Sequence, residues 1–589
     1  MHQLPPLRPV SGMVITHSIK LRPGIYNMPG EEPGITITAR HAKINLTGVR
    51  LHGIKGSVGI LLKDCSQVQI INADVSGFNV DIELVHCRHV VLQHCTALNS
   101  ADPGPGTIID ESGTHPQDTR GAGFLVRSSS HVELSGCAAM YAWDGLDLVN
   151  CDHCSAQTCN FSYNENWGVH LWHSSANSIS RCSAIWCTTG RGKLYQALTG
   201  WQTYDADAVL IEHGSDHNTI SQNDLRFGGD GIFIRSNEAP VKPGTAVPHV
   251  FSSDFNRLLN NDCSYSPNNA IEVDFVKGTL IKGNNCSLSN YGMWLGYSRY
   301  SKVVGNLCAW DTVRSIEIEN GQHGTITGNI LADKGATANK VLIFLRQNGR
   351  DATPSGPYLI TNNLFLGGST AVALIKTSVT LKNNIRAANN MTDALPSLVR
   401  ADGQSVTSIS GDLIQPAEPP LTSVTVSRVL NRTWSVKGNL TLPALPIAML
   451  TCFGRPLLAT RGKGSMLQFT LEPQPSLSGW QQSSALQVFT NQGWSASTIV
   501  TAPAPAGQSL ITALQPVKLT VGGTFTILGH FTGQGVVTVN GLKAGESSSE
   551  CSAIVCRVPL IAPTGEVNLL FQPVKGLPAG PVVVTVLPK

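Results

Sequence analysis

The 589-residue chain is short of charge: Asp, Glu, Lys and Arg together make up 14% of it, and the net charge is only +3. No Lys/Arg block occurs anywhere, which argues against nucleic acid as a partner, because neutralising phosphates carries most of that affinity. Apolar runs of membrane-span length are also missing, so no membrane span is expected. The opening segment, MHQLPPLRPV, has no basic region followed by an apolar core, so no signal peptide is visible. Cysteine is present in an odd number, 15. That speaks against a complete disulfide framework and allows buried free thiols. Cys551 and Cys556 lie close enough in sequence to be a candidate pair, which would imply an oxidising compartment.

What is present is glycine (57 residues) and a 41% hydrophobic content. Such a chain is turn-rich and favours strands over helices. Its length exceeds one ordinary core, so two or three domains are expected.

Short segments recur along most of the chain. They include VGILLKD from 58, DIELVHC from 81, AGFLVRS from 122, GLDLVNC from 145, GVHLWHS from 168 and DAVLIEH from 207. GIFIRSN from 231, NAIEVDF from 269, GMWLGYS from 292, RSIEIEN from 314 and VLIFLRQ from 341 continue the series, most often at a spacing of 22 or 23. Each alternates apolar and variable residues, the pattern of a strand with one buried face. A second short strand follows, as in HVELSG, NSISR, NTISQ, GTLIKG, KVVG and GTITG. It ends at Asn223, Asn261, Asn284, Asn306 and Asn329, and earlier in the chain at Cys95, Cys137, Cys159 and Cys182. One small residue per repeat at a fixed place predicts a stacked ladder that satisfies buried backbone groups at a bend. The repeat is therefore one coil of a parallel β-solenoid, each coil burying its inward residues on the next at about 4.8 Å.

This pattern resembles the right-handed parallel β-helix superfamily, which includes pectate lyases, polygalacturonases, alginate epimerases and proteins with carbohydrate-binding and sugar hydrolysis repeats. The resemblance covers roughly residues 33–395. It implies an all-β fold, with a right-handed parallel β-helix over 1–415 followed by two small β-sandwich-like domains, and it leaves the reaction open. After Asn390 the coil pattern fades, and the Pro-rich QPAEPPLTS marks a boundary. Residues 424–502 alternate like strands of a small β domain. Residues 508–589, beyond TAPAPAGQ, resemble an immunoglobulin-like module of the IPT/TIG type, an accessory or interaction domain in that family.

The residues alternating with the buried ones on the first strand of each coil are expected to face solvent. One outward column reads Glu83, Leu125, Asp147, His170, Leu210, Phe233, Glu272, Trp294, Glu317. The next reads Val85, Arg127, Val149, Trp172, Glu212, Arg235, Asp274, Gly296, Glu319. Insertions at 99–121, 188–206 and 237–254 fall around the same coils and are expected to wall a cleft. The expected catalytic set is Asp147, His170, Glu212, Arg235, Glu272 and Asp274. Trp172, Trp294, Tyr297, Glu317, Glu319 and Asp230 are the expected substrate-binding residues. Glu212 and Asp274 lie two coils apart in one column, roughly 9–10 Å, close to the separation of about 6.5–9.5 Å that an inverting glycosidase needs. Arg235 falls between them. Asp274 and Glu319 form a second pair of equal spacing. Asp147 and His170 are on neighbouring coils, as an oriented acid–base pair requires. Asp144, Asp207 and Asp230 precede the strand at turns, where a structural role is the default. Cys151 and Cys154 form a CxxC with no partner pair, so no metal is expected there.

Polygalacturonases offer a comparison: WDGLD (143–147) and GGDGIFIR (228–235) resemble two of their motifs in outline, but only Asp230 carries over, and the second Asp of the family's GDD is Gly231 here. These observations point to a secreted or periplasmic carbohydrate-active enzyme, an inverting glycoside hydrolase acting on a neutral or weakly charged glycan, since an acid-rich cleft repels polyanions. The alternatives are a lyase or C5-epimerase on a uronic-acid polymer, with Ca²⁺ held by the acids or His170 working with Tyr297, and a non-catalytic glycan-binding surface protein. No other cofactor is implied.

Overall fold

The computed structural model describes residues 6–387 apart from 54–56, 101–120, 188–205, 237–252, 334–339, 350–353 and 368–369, and, beyond 397, mainly strands. The chain forms two compact units, Met1–Glu418 and Pro419–Lys589. The first is a parallel solenoid. Two 15-stranded parallel sheets run its length, and a third face carries a 5-stranded sheet at each end. Between those two sheets the third face continues as single bridges, Ala138↔Asn160↔Ser183↔Asp224↔Asp262↔Asn285↔Leu307. No helix occurs among the described residues.

The coil repeat explains this architecture. Inward residues such as Leu146, Val169, Val209, Ile232, Ile271, Met293 and Ile316 stack in register, each buried on its neighbour's equivalent. At the bend after the second sheet runs the Asn column. In Asn306, Oδ1 accepts from Asn284 N (2.8 Å) and Asn284 Nδ2 (3.0 Å), while Nδ2 donates to Ile281 O (3.0 Å) and Asn329 Oδ1 (3.0 Å). The column extends through Asn363 and Asn384 and meets the Cys column where Cys182 N donates to Asn223 Oδ1 (2.8 Å). A further Asn column, Asn177, Asn218 and Asn256, serves the opposite end of the second strand. The Cys rungs donate S–H to carbonyls of the preceding coil, as Cys159 Sγ does to Leu134 O and Cys182 Sγ to Ala156 O, both at 3.5 Å.

The bend out of the first sheet is left-handed. His86, Ser128, Asn150, His173, His213, Phe275, Tyr297 and Asn320 sit there with φ between 45° and 57°. Non-glycine residues seldom adopt that region, so a sharp turn is repeated coil after coil at a local cost. It swings His213 and Tyr297 back beside the outward columns.

The second unit consists of small sheets, mostly antiparallel; the last two have the orders Leu510–Gln515, Thr524–Phe531, Cys551–Arg557 and Lys518–Thr520, Ala579–Leu587, Gly565–Pro573, Gly535–Val539, Leu542–Ser547. Phe525, Ile527, Phe531, Val537, Leu569 and Phe571 form its core. The expected Cys551–Cys556 bridge is not made: Cys556 is a buried free thiol. The two residues lie on one strand, and five residues of extended chain span about 16 Å, beyond disulfide reach.

Replacing one Asn rung tests the ladder. Asn306→Ala strands the Asn284 and Ile281 backbone groups and is expected to lower unfolding free energy by about 2–4 kcal/mol in urea denaturation. Asn306→Cys, a residue the earlier coils already use there, is expected to cost less than half as much.

Candidate functional site

The outward columns fall in the register the repeat implies: Asp147 pairs with His170, Trp172 with Glu212, Arg235 with Asp274, Glu272 with Trp294, and Trp294 with Glu317. Their exposure does not follow the expectation. Asp147 (3%), His170 (0%) and Glu212 (1%) are buried, as are Glu317 and Glu319. Beside Asp147, His170 and Glu212 lies a satellite apolar cluster on the outer side of the sheet, Trp143, Trp167, Ala206, Leu210 and Phe233, with Trp167 against the His170 ring. Two of its members, Trp143 and Trp167, come from turns rather than from the alternating strand. Most of the three insertions expected to wall a cleft lies outside the described residues.

His170 is the centre of this region. Its Nδ1 contacts Asp147 Oδ1 at 3.3 Å and its Nε2 bonds Glu212 Oε1 at 3.1 Å. The Asp147 side is a close ion-pair contact rather than an aligned hydrogen bond. The link to Glu212 is diagonal, since the rung neighbour of His170 is Leu210. Arg235 Nε donates to the other oxygen, Glu212 Oε2, at 2.6 Å. Trp167 lies against the His170 ring with centroids 4.1 Å apart, and Trp172 stacks on His213 at 3.3 Å.

Burial alone would lower the His170 pKa, but its contacts with Asp147 and Glu212 outweigh this and raise it to about 9. Burial would raise Glu212, yet His170 and Arg235 bring it down to about 2. Glu212 is thus held as an anion and His170 as a cation. His213 goes the other way: burial, against the partial help of Glu212, lowers it to about 4. Asp144 is a carboxyl of the same region that sequence reasoning had assigned to a turn. Its Oδ1 accepts from Asn166 Nδ2 (2.8 Å) and Trp167 N (3.2 Å). Burial, then the neighbouring Asp147 charge, push its pKa well above the ordinary carboxylate range. The signal that could have found it is WDGLD itself, which places two acids three residues apart on one strand.

The remaining expected residues divide into two groups. Asp274 is half-buried, and its Oδ1 accepts from Gly296 N at 2.8 Å. A Cβ on Gly296 would lie 2.3 Å from that oxygen, so a larger residue there requires the Asp274 side chain to shift. Glu272 is half-buried and accepts from Asn269 Nδ2. Asp230 is fully buried and its Oδ1 accepts from Asn269 N at 2.6 Å, a backbone-capping role.

Further along the solenoid, Glu317 and Glu319 are bound by cations the sequence reading left out. Arg314 Nε reaches Glu317 Oε2 at 2.7 Å. Arg346 bonds Glu317 Oε1 through Nε at 2.9 Å and Glu319 Oε2 through Nη2 at 2.5 Å. Tyr297 OH donates to Glu319 Oε1 at 2.8 Å. Trp294 sits half-buried beside Tyr291 and under the Arg346 guanidinium. His170 and Tyr297 are not brought together: the rungs 170, 210, 233, 272 and 294 separate them by four steps, about 19 Å.

These pairings also correct the expectation of an acid-rich, polyanion-repelling face. Glu83 is bound by Arg127, Asp147 and Glu212 by His170, Glu212 by Arg235, and Glu317 and Glu319 by Arg314 and Arg346. Most of the acids are neutralised where they stand.

Comparison with known proteins agrees with the architecture. Residues 197–392 match the family model described as periplasmic copper-binding protein (NosD), and residues 33–192 match the model for a right handed beta helix region. Among curated proteins none matches. Of solved structures, the mannuronan C-5 epimerase AlgE6 A-module of Azotobacter vinelandii is 10% identical, with 68% of this chain and 91% of that one covered and a TM-score of 0.36. The periplasmic alginate epimerase AlgG, as one of its mutants, is 9% identical over 67% of this chain and 85% of that one, with a TM-score of 0.34. A tailspike mutant of E. coli bacteriophage HK620 in complex with pentasaccharide is 9% identical over 77% and 84%, with a TM-score of 0.31. With scores this low, what those proteins act on belongs to them alone.

The charge network makes pH dependence specific. His170 rises from 6.5 to about 9, so the stability it adds is complete below 6.5 and is lost as pH climbs towards 9. Glu212 falls from 4.5 to about 2, so its contribution is present above 4.5 and is lost as pH drops towards 2. His213 stays neutral down to about 4, which favours the unfolded chain below 6.5. Melting temperature measured against pH is expected to peak near pH 6.5. His213→Asn is expected to flatten the limb between 6.5 and 4, and His170→Gln the limb between 6.5 and 9.

Proposed function

We propose that this chain is a carbohydrate-active enzyme using acid–base chemistry, and that the reaction is glycoside hydrolysis with inversion. The observation that carries the reading is the buried Asp147–His170–Glu212–Arg235 network. The solenoid does not need it, since Leu125, Leu210 and Phe233 fill the column of Asp147 and His170 elsewhere, and Val85 and Val149 that of Glu212 and Arg235. Burying such charges costs several kcal/mol per ion before pairing offsets it. Charges placed where an apolar residue would serve, with pKa values driven in opposite directions, mark a site built for proton transfer.

In this reading Glu212, held ionised, is the base that takes a proton from water as the water oxygen attacks the anomeric carbon. The glycosidic C–O bond breaks and its oxygen receives a proton from a second carboxyl. Spacing across Arg235 favours Asp274 as that donor. Environment favours Asp144, whose acid form is stabilised by burial and by the Asp147 charge. His170 keeps Glu212 anionic and oriented, and Trp172 and Trp294 offer partly exposed faces for sugar rings. Lyase or epimerase chemistry with Ca²⁺ is less favoured, because Glu317 and Glu319 are committed to Arg partners. A non-catalytic glycan-binding role is the second reading, and the complete burial of His170 favours it.

The NosD description supports a location outside the cytoplasm. Among the described residues no group of three or more His, Cys, Asp or Glu could hold an ion, and the ladder thiols are turned to backbone carbonyls. The last segment, read as an IPT/TIG-like module, fits an accessory role.

The test is hydrolysis across a glycan panel with product anomers read by NMR. Glu212→Gln is expected to cut turnover at least about a hundredfold, the scale of a lost general base, with partial rescue by azide. The true donor, Asp274 or Asp144, is expected to lose a similar factor on native linkages when changed to Asn. That loss should shrink on aryl glycosides whose leaving group needs no proton. Near-normal rates in Glu212→Gln would exclude the mechanism, and an unsaturated product absorbing in the ultraviolet would replace it with a lyase.

A further inference from the structure

The Arg314–Arg346 cluster lies on the same outer face as Glu212. The rungs 212, 235, 274, 296 and 319 place it four steps along the axis, about 19 Å away. Its carboxylates lie beneath and its guanidinium groups above. The Glu317 and Glu319 side chains are 4% and 7% exposed, those of Arg314 and Arg346 25% and 29%. Both guanidinium groups rest on the Phe344 ring, at 4.5 and 5.9 Å from its centroid, and Arg346 also lies 5.8 Å from that of Trp294. The carboxylates hold each Arg through Nε, and Arg346 also through Nη2. Among the described residues, both terminal amino groups of Arg314 and Nη1 of Arg346 make no further bond.

Two oriented forks with unused donors, partly exposed and braced from below, match the planar pair of oxygens in a carboxylate. Beside them lies Trp294, with the Asp274 carboxylate folded over the neighbouring Gly296. Gly296 interrupts the second column next to the half-buried Trp294, with Tyr291 edge-on to that ring at 5.3 Å. A sugar ring stacked there would present a ring substituent to the guanidinium groups. We infer that this cluster is a distal anchor subsite for an acidic sugar unit, binding a uronate carboxylate through Arg314 and Arg346 while the ring rests on Trp294. The inference rests on the glycan reading above and narrows it from a neutral to an acidic or mixed polymer. It is consistent with a face whose acids are already neutralised.

The experiment is calorimetric binding of the full chain to matched oligosaccharides: a uronate oligomer of about six units, its methyl ester, and a neutral oligomer carrying one sulfate ester. The uronate is expected to bind at least about tenfold more tightly than the ester, the scale of one charged bidentate contact. Arg314→Gln is the chosen variant because Arg346 still pairs both glutamates. It is expected to abolish most of that difference and leave ester binding unchanged, and Arg314→Lys is expected to restore part of it. Equal binding of uronate and ester overturns the anchor, and leaves the acid–base reading standing if the ester is cleaved. Sulfate binding as tight as uronate overturns the carboxylate assignment. Failure to bind any oligosaccharide, with none cleaved, overturns both.

Discussion

Register between coils is the constraint on which the rest depends. Each strand of the site sheet pairs with the next at one-to-one positions, so residues 22 or more apart in sequence become neighbours about 4.8 Å apart. Nothing in a two-residue apolar alternation fixes that register alone, because a slip by two positions still buries the same face. The Asn columns do. An Asn side chain that must accept from an amide of the preceding coil and donate to a carbonyl of that same coil has one acceptable height. The left-handed bends add a second stop, since most coils place one at the same residue. Polar bonding at the corners, more than apolar packing inside, decides which side chains meet on the outer face.

Much of this was legible in the sequence, and the part that was not has a physical cause. The Asn and Cys positions, the strand repeat and the membership of both outward columns all follow from period and alternation. What alternation cannot report is cover. Asp147 and His170 point away from the core, as read, yet Trp143 and Trp167 lie over the same face from turns that have no period. A second omission was avoidable. Extending the columns by one coil reaches Phe344 and Arg346, and Arg346 is the residue that neutralises Glu317 and Glu319. The bends also leave a trace: the residues after the second outward position include His86, Ser128, Asn150, His173, His213, Phe275, Tyr297 and Asn320, all with positive φ, whereas Ser236 is not among the positive-φ residues.

The site shows how burial and pairing share control of charge. Desolvation opposes ionisation of both His170 and Glu212; Asp147 and Glu212 together hold His170 charged, and His170 together with Arg235 holds Glu212 charged. Arg235 makes the arrangement asymmetric by adding a second cation on the Glu212 side. Asp144 sits close enough to feel the Asp147 charge, and burial with that charge favours its acid form against the opposing His170 charge. One buried patch therefore holds an anion, a cation and a carboxyl whose acid form is favoured within three consecutive coils. Solution chemistry near neutral pH supplies no such combination from the same three side chains.

Along the solenoid the same logic repeats with a different balance. Around His170 the cation is innermost and its carboxylates flank it. Around Arg346 the carboxylates are innermost and the guanidinium groups form the outer layer. The first arrangement conceals charge and shifts protons. The second presents charge and fixes a ligand. A parallel solenoid allows both on one face, because a column position lies outside the inner core and can be filled differently from coil to coil. Separation by whole rungs then sets the distance between the two centres in steps of about 4.8 Å, comparable to the repeat of an extended polymer. A linear partner that occupies both centres at once gains the second contact at a high effective concentration. On this geometry, chain length should control affinity until a ligand spans both centres, and have little further effect beyond that.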